Sequence, residues 1–333
     1  RDLWYKTSAD LDAHQTQNGK AQERFENYKH QALHFNFPAT FTGIPKVDPK
    51  GKKLRAAVIR EQGSNSEREM AYALHLAGFE VIDVHMTDLI SGRETLESVQ
   101  FIAAVGGFSN SDVLGSAKGW AGSFLYNDKA KKSLDAFFAR EDTLSIGVCN
   151  GCQLFVSLGL LTPDHEEKPK MLHNDSGKFE CHFTAVDIQA SPSIMLQGME
   201  GSRLGIWAAH GEGKFSFPKS KDHYQIPATY HIEAYPANPN GSDFNAAMLG
   251  SELANHHEAA IKKALDYYFG LQDIVQPWDE TTIEALGKLV HVYDGSIEFW
   301  MGETKLITFS RLEMSVEIIC GAPQAMFSSA TEE

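Results

Sequence analysis

An apolar run, Leu144–Val148, passes into Cys149-Asn150-Gly151-Cys152-Gln153 and continues as a second apolar stretch over residues 152–158. Few folds accommodate a strand, a Gly-x-Cys-x-Gly turn and a helix in immediate succession. The chain must reverse sharply at Cys149, and Gly147 and Gly151 let strand and helix approach without a Cβ between them. The turn also puts the sulfur at a helix N-terminus, where unpaired N–H groups and aligned peptide dipoles favour thiolate. Cys149 is therefore a candidate nucleophile. The Cys149-x-x-Cys152 spacing also admits a redox dithiol or half of a zinc site, and Cys149 could be a buried structural cysteine. Zinc needs a second close pair, which Cys181 and Cys320 do not form, and a dithiol needs neither the flanking glycines nor Gln153. No metal site is expected.

The surrounding pattern extends this local unit to a domain. Short apolar runs at 54–59, 80–84, 101–105 and Leu144–Val148 alternate with amphipathic segments at 66–77, 129–138 and 152–158. Strand and helix alternating at this pitch predict an α/β fold, with a mostly parallel sheet covered by helices on both faces. Ligands bind such sheets where loops leave the carboxyl ends of strands, and Gly106-Gly107 and Cys149 both fall at such ends. Shorter strands are expected at Glu180–Ile188, 204–209 and 230–234. Residues 2–28 carry Leu3, Trp4, Leu11, Phe25 and Tyr28 at helical spacing, followed by a Pro- and Gly-rich linker over 37–53. The last eighty residues suggest a polar helix at 258–269 and a hairpin, 289–293 and 297–301, turning at Asp294-Gly295.

A hydrophobic content of 42% over 333 residues supports at least one substantial core. The net charge of −14 argues against nucleic acid or an anionic membrane as partner. No run approaches the roughly 18 apolar residues of a membrane helix, and the first thirty residues are too polar for a signal peptide. Four irregularly spaced cysteines fit reduced thiols and a cytoplasmic location. Because the chain begins at Arg1, a piece of a longer protein is expected.

Amide cleavage at Cys149 requires donors for a developing oxyanion. Gly107, in the post-strand turn Val105-Gly106-Gly107-Phe108-Ser109, supplies one candidate N–H and Asn150 the other, although a Gly-Gly pair can also be an ordinary turn. Asn238 and Asn240, set among Pro236, Pro239 and Gly241, predict a rigid loop whose amides can bind a ligand, or else a surface turn.

Three stretches stand in order as signatures of one family: Ile59-Arg60-Glu61-Gln62-Gly63-Ser64-Asn65, Gly106-Gly107-Phe108-Ser109-Asn110-Ser111-Asp112-Val113-Leu114-Gly115, and Gly147 to Gln153. His173-Asn174-Asp175-Ser176 with Phe179-Glu180, Ala209-His210-Gly211-Glu212-Gly213 and Tyr235-Pro236-Ala237-Asn238-Pro239-Asn240-Gly241-Ser242 follow them. Together they resemble phosphoribosylformylglycinamidine synthase of the large single-chain type, whose C-terminal part is a class I glutamine amidotransferase with a flavodoxin-like sheet. The resemblance covers about residues 1–249. It implies glutamine amide hydrolysis delivering ammonia to a synthetase, which uses ATP to convert formylglycinamide ribonucleotide to formylglycinamidine ribonucleotide in purine biosynthesis. ATP and Mg are expected only in that synthetase region, of which residues 1–53 resemble the trailing helices and connection. Residues 54–250 then form the glutaminase domain and 251–333 a divergent α+β tail. The resemblance further implies a glutamine site from Gly106, Phe108, Gln153, Asn174, Ser176, Phe179, His210, Asn238 and Asn240.

This sequence departs from the family where the family places its histidine and glutamate, in a Pro-His-Pro-Glu-Arg motif after an apolar strand. No such motif occurs here. Asn255-His256-His257-Glu258 keeps the His-x-Glu spacing, making His256 the candidate base and Glu258 its orienting partner, while the same residues also fit a solvated helix start capped by Asn255. His210 is a second candidate, for the base or for a binding role. Beyond residue 250, Trp278-Asp279-Glu280 and the stretch from Val292 to Phe299 faintly resemble the C-terminal ends of serine recombinases, which suggests a fused or misassembled frame. Besides an active glutaminase, two alternatives follow: a catalytically impaired amidotransferase fold that binds glutamine or a partner without turnover, and a different cysteine hydrolase on the same fold.

Overall fold

A computed structural model describes residues 2–30, 33–38 and 54–251, together with the backbone of four strands between residues 290 and 319. In chain order the helices α1 (Asp2–Asp12) and α2 (Lys20–Asn27) precede β1 (Arg55–Arg60), β2 (Ser64–Asn65), α3 (Glu67–Leu76), β3 (Glu80–His85), α4 (Met86–Ser91), β4 (Phe101–Ala104) and β5 (Gly106–Gly107). Then come α5 (Lys118–Leu125), α6 (Asp128–Phe138), β6 (Leu144–Val148), α7 (Asn150–Leu158), β7 (Lys170–Leu172), β8 (Glu180–Ile188), β9 (Arg203–His210), β10 (Lys214–Ser216), β11 (Gln225–Tyr230) and β12 (Ala246–Gly250). Four strands of the tail are β13 (Val290–Tyr293), β14 (Ser296–Met301), β15 (Thr304–Ser310) and β16 (Val316–Ile319).

The main sheet runs β3-β1-β4-β6-β16-β12-β11-β8-β9. Its first half is parallel, through β3, β1, β4, β6 and β16; from β12 onward each strand pairs antiparallel with its neighbours. Successive side chains of a strand point to opposite faces, and the parallel half obeys this strictly. Ala57, Ile59, Ile102 and Ala104 join a core with Trp120, Phe124, Leu134, Phe137 and Phe155 from α5, α6 and α7. Ala56, Val58, Ala103, Leu144, Ile146 and Val148 join a second core with Met70 and Leu74 of α3. Apolar strands covered on both faces are what a parallel sheet requires. A third core, including Val186, Leu204, Ile206, Tyr230 and Met248, underlies the antiparallel half.

The expected strand at 230–234 is corrected. β11 ends at Tyr230; one further bond to β8, His231 N–H to Ala185 O (2.9 Å), follows, and the chain then turns away. Tyr235 is held outside the sheet, its N–H donating to Glu23 Oε1 (2.9 Å) and its carbonyl accepting from Asn27 Nδ2 (2.9 Å), so a local apolar pattern yields to contacts with α2. Helices α4 and α5 and strand β12 were not anticipated. The first is marked by a reciprocal cap, His85 Nδ1 accepting from Thr87 N–H (3.2 Å) and Asp88 Oδ2 from His85 N–H (3.1 Å). The tail hairpin falls as expected, β13 pairing antiparallel with β14, and β16 of the same tail lies between β6 and β12. No helix among the described residues is long and apolar enough to cross a membrane.

Candidate active site

The parallel strands β4 and β6 end side by side, and the loops leaving them form the site. Cys149 directly follows β6 and caps α7 with φ 55° and ψ −108°, outside the regions comfortable for a residue with a Cβ. That strain is sustained by close packing on either side. A Cβ at Gly147 would sit 2.5 Å from Gly151 O, and one at Gly151 would sit 2.1 Å from Ala104 O of β4. Both glycines are therefore steric necessities. The Cys149 sulfur is 3.7 Å from the carbonyl of Ala209 on β9.

The Gly106-Gly107 turn lies against Cys149. A Cβ at Gly106 would be 3.3 Å from Cys149 Cβ and 3.8 Å from its Sγ, while Gly107 has φ 109° and no room for a side chain beside Asn65 N and Gly63 O. The short ladder of β5 with β2 fixes which donors remain in this loop. Phe108 N–H donates to Gly63 O (2.8 Å), Ser109 N–H to Asn150 Oδ1 (3.1 Å) and Asn110 N–H to Gln62 O (2.8 Å). With Phe108 bonded to Gly63, the Ser64–Gly107 pair is the non-hydrogen-bonded kind, so the Gly107 N–H is not spent on the ladder. Asn150 opens α7, and its N–H has no carbonyl one helical turn earlier to bond. Gly107 and Asn150 are the residues whose N–H groups the sequence marks as candidate oxyanion donors.

Behind the sulfur lies a polar network. Asn150, fully buried, donates through Nδ2 to Gln153 Oε1 (3.0 Å) and Asp112 Oδ1 (3.4 Å) while accepting from Ser109. Gln153 Nε2 donates in turn to Glu212 O (2.9 Å). Burial pushes the Asp112 carboxyl above its ordinary range, and the Glu212 carboxylate adds to this, against hydrogen bonds from Ala117, Ser116 and Asn150 that lower it. A carboxyl that binds its proton more tightly folded than unfolded costs stability as pH rises. Asn150→Asp sets another negative charge beside Asp112, so it is expected to cost about 1–3 kcal/mol near neutrality. The loss should shrink as pH falls through the raised Asp112 range, which urea midpoints of variant and wild type across that pH range would measure.

The other expected residues divide by what their polar atoms do. Asn174 donates to the carbonyls of Lys178 (3.0 Å) and His210 (2.6 Å) and accepts from Gly213 N–H (3.1 Å). Asn238 binds within its own loop, accepting from Gly241 and Ser242 N–H and donating to Asn245 Oδ1. Asn240 Nδ2 donates to Tyr230 Oη (2.8 Å) and its backbone carbonyl accepts from Asp175 N–H (3.1 Å), while its side-chain oxygen is buried with no hydrogen-bond partner among the described residues. Ser176 is buried and its carbonyl accepts from Gln17 N–H. Buried amides are committed to partners as a rule, and here Gln153, Asn174 and Asn238, with Asn240 through its Nδ2, form a hydrogen-bonded frame. His210 ends β9 with its ring packed where a Gly213 Cβ would stand, 1.9 Å from Cε1. Phe108 and Phe179, both about half exposed, face each other with ring centroids 6.0 Å apart above this frame. His256 and Glu258 lie outside the described residues.

Cys149 and Cys152 differ in setting: Cys152 is fully buried within the core under α5 to α7, and Cys149 is partly accessible. Among the described residues no group of three His, Cys, Asp or Glu side chains could hold a metal. Sequence reasoning passed over the Asp112–Glu212 pair and the contacts of α2 with Glu180 and Tyr235. Only the family stretches in which these residues stand could have pointed to them.

A parallel sheet carrying a cysteine elbow beside a Gly-Gly turn defines a class I glutamine amidotransferase-like fold. The chain belongs to the CobB/CobQ-like glutamine amidotransferase domain family, which it matches over residues 53–256. It is 42% identical over 279 residues to a protein of Arabidopsis thaliana named probable phosphoribosylformylglycinamidine synthase, chloroplastic/mitochondrial, covering 77% of this chain and 20% of the relative. It is 40% identical over 297 residues to human phosphoribosylformylglycinamidine synthase, covering 79% and 22%. The chain thus spans about a fifth of the length of these curated relatives. Among solved structures, PurLQS from Thermotoga maritima aligns with a TM-score of 0.50 and 26% identity, over 60% of this chain and 83% of that one.

Proposed function

We propose that this chain performs the glutaminase half-reaction of phosphoribosylformylglycinamidine synthase, releasing ammonia for an ATP- and Mg-dependent synthetase that forms formylglycinamidine ribonucleotide. The strained Cys149 elbow beside the Gly107 and Asn150 N–H groups carries this reading. The names of the relatives supply the synthase. In the proposed sequence the Cys149 thiolate attacks the side-chain carbonyl carbon of glutamine, and Gly107 and Asn150 N–H donate to the oxygen as it becomes anionic. The C–N bond then breaks as the nitrogen takes up a proton and leaves as ammonia. Water adds to the γ-glutamyl thioester, releasing glutamate and the thiol. His256 is the proposed proton carrier and Glu258 its orienting carboxylate. Phe108 and Phe179 wall the pocket, and the committed amides behind them hold its shape. Residues 54–250 are the proposed catalytic unit and residues 1–53 its connection to the synthetase. A reduced thiol nucleophile suits a reducing compartment, and we place the reaction in the cytoplasm.

The test is glutamate release from glutamine by the whole chain, alone and with a synthetase supplied with ATP, Mg and formylglycinamide ribonucleotide. Release that rises with the synthetase is the expected result. No release in either setting, with no labelling of Cys149 by a glutamine-analogue diazoketone, would refute the proposal.

A further inference from the structure

Residues 2–30 precede the family match at 53–256, yet they bond to the loops that carry the frame. Their attachment is polar: α1 buries no side chain and α2 buries only Ala21. Arg24 is the hub. Its Nη1 lies 2.9 Å from Asp12 Oδ2, and its Nη2 donates to Glu180 Oε2 (3.1 Å) and to Tyr235 Oη. The guanidinium also stands over the Tyr235 ring, 5.0 Å from its centroid. Tyr235 Oη donates to the other oxygen of Glu180 (2.8 Å), and burial, with the Glu180 charge, pushes this phenol far above the ordinary tyrosine range. Glu180 is almost fully buried. Without Arg24 its carboxylate would be a buried charge lacking its cation.

Both residues that Arg24 grips adjoin the site. Glu180 follows Phe179, the ring facing Phe108, and pairs across the ladder with His210, the neighbour of the Ala209 carbonyl that meets the Cys149 sulfur. Tyr235 begins the loop that carries Asn238 and Asn240. Three further bonds bind the same loops to the N-terminal segment: Gln17 N–H to Ser176 O (2.7 Å), Asn18 Nδ2 to Asp175 O (2.7 Å) and Lys178 Nζ to Asp12 Oδ1 (2.5 Å).

We propose that Arg24 is a positioning residue for the amidotransferase site, setting the 174–180 and 235–242 loops through Glu180 and Tyr235 and so coupling the N-terminal helices to glutamine binding. The coupling to glutamine rests on the function proposed above. The loop-setting role stands on the contacts alone.

Hydrogen exchange and Cys149 labelling on the whole chain test it with wild type, Arg24→Ala and Arg24→Lys. In Arg24→Ala the amides of 174–180 and 235–242 should exchange about tenfold or more faster, while peptides of β1, β4 and β6 keep their protection. The half-saturating concentration of the glutamine-analogue diazoketone should rise about tenfold, with the maximal labelling rate and the rate with iodoacetamide within about twofold of wild type. Arg24→Lys keeps the cation but cannot bridge both carboxylates, so it should recover part of each change. Unchanged loop exchange in Arg24→Ala would overturn the proposal. Equal loss of protection across β1, β4 and β6 would overturn it too, because Arg24 would then serve overall stability. If iodoacetamide labels the wild type but the diazoketone does not, the glutamine reading fails, and the exchange data alone decide the loop-setting role.

Discussion

Cys149→Ala is expected to lower glutamine hydrolysis by about 10⁴-fold or more, since the variant has no group able to form the thioester. Neither nearby thiol can stand in. Cys152 is sealed in the core, and Cys181 is exposed on β8. Glutamate release, read together with intact mass for the trapped acyl-enzyme, measures the effect. The backbone adds a discriminating stability result. Because position 149 holds φ 55°, where a Cβ is strained, Cys149→Gly should be more stable than Cys149→Ala by about 1 kcal/mol, although both are inactive. A Cys149→Ala variant that retains wild-type turnover would remove the nucleophile from the proposed mechanism.

The second large effect is expected at Gly151. An alanine methyl there would lie 2.1 Å from Ala104 O and 2.5 Å from Ala104 C. These are backbone atoms of β4, paired on both sides by β1 and β6, so no rotamer change can make room. Helix α7 would have to lift from the sheet, separating the Asn150 N–H from Gly107 and breaking the Asn150–Ser109 bond. Gly151→Ala should cost more than about 3 kcal/mol in urea denaturation, if the chain folds at all. Gly122→Ala is the matched control. It lies within α5, where the nearest atom to a new Cβ is Tyr126 Cδ2 at 3.8 Å, so the higher helix propensity of alanine should leave stability unchanged or raise it by up to about 1 kcal/mol. Equal losses at the two positions would mean that helix propensity, and not the approach of α7 to β4, governs this site.

How much of this was legible beforehand follows from the range of the forces involved. The strand, elbow and helix at 144–158 were readable because a period-two apolar run, two flanking glycines and a following apolar helix are all written within fifteen consecutive residues. The parallel half of the sheet was readable for the same reason, each strand being a short apolar run buried on both faces. The stretch at 230–234 misled because its local pattern does not register that Glu23 and Asn27, more than two hundred positions earlier, take the backbone groups of Tyr235.

The asparagines are the clearest case of a signal with an undetermined sense. Asn174, Asn238 and Asn240 were marked as binding residues from the motifs in which they stand. An amide presents the same donors and acceptors to a ligand as to a neighbouring loop, and only the packed structure shows these amides turned inward to Gly213, Gly241 and Tyr230. The sequence alone determined where the cysteine elbow stands and why glycines surround it, because sterics and helix dipoles act over one or two turns of chain. Tertiary structure alone decided that the β2–β5 ladder leaves the Gly107 N–H unspent, and that Arg24 ties α2 to Glu180 and Tyr235. Those are pairings between residues distant in sequence, selected by mutual burial and by the cost of leaving a buried charge or donor unpaired.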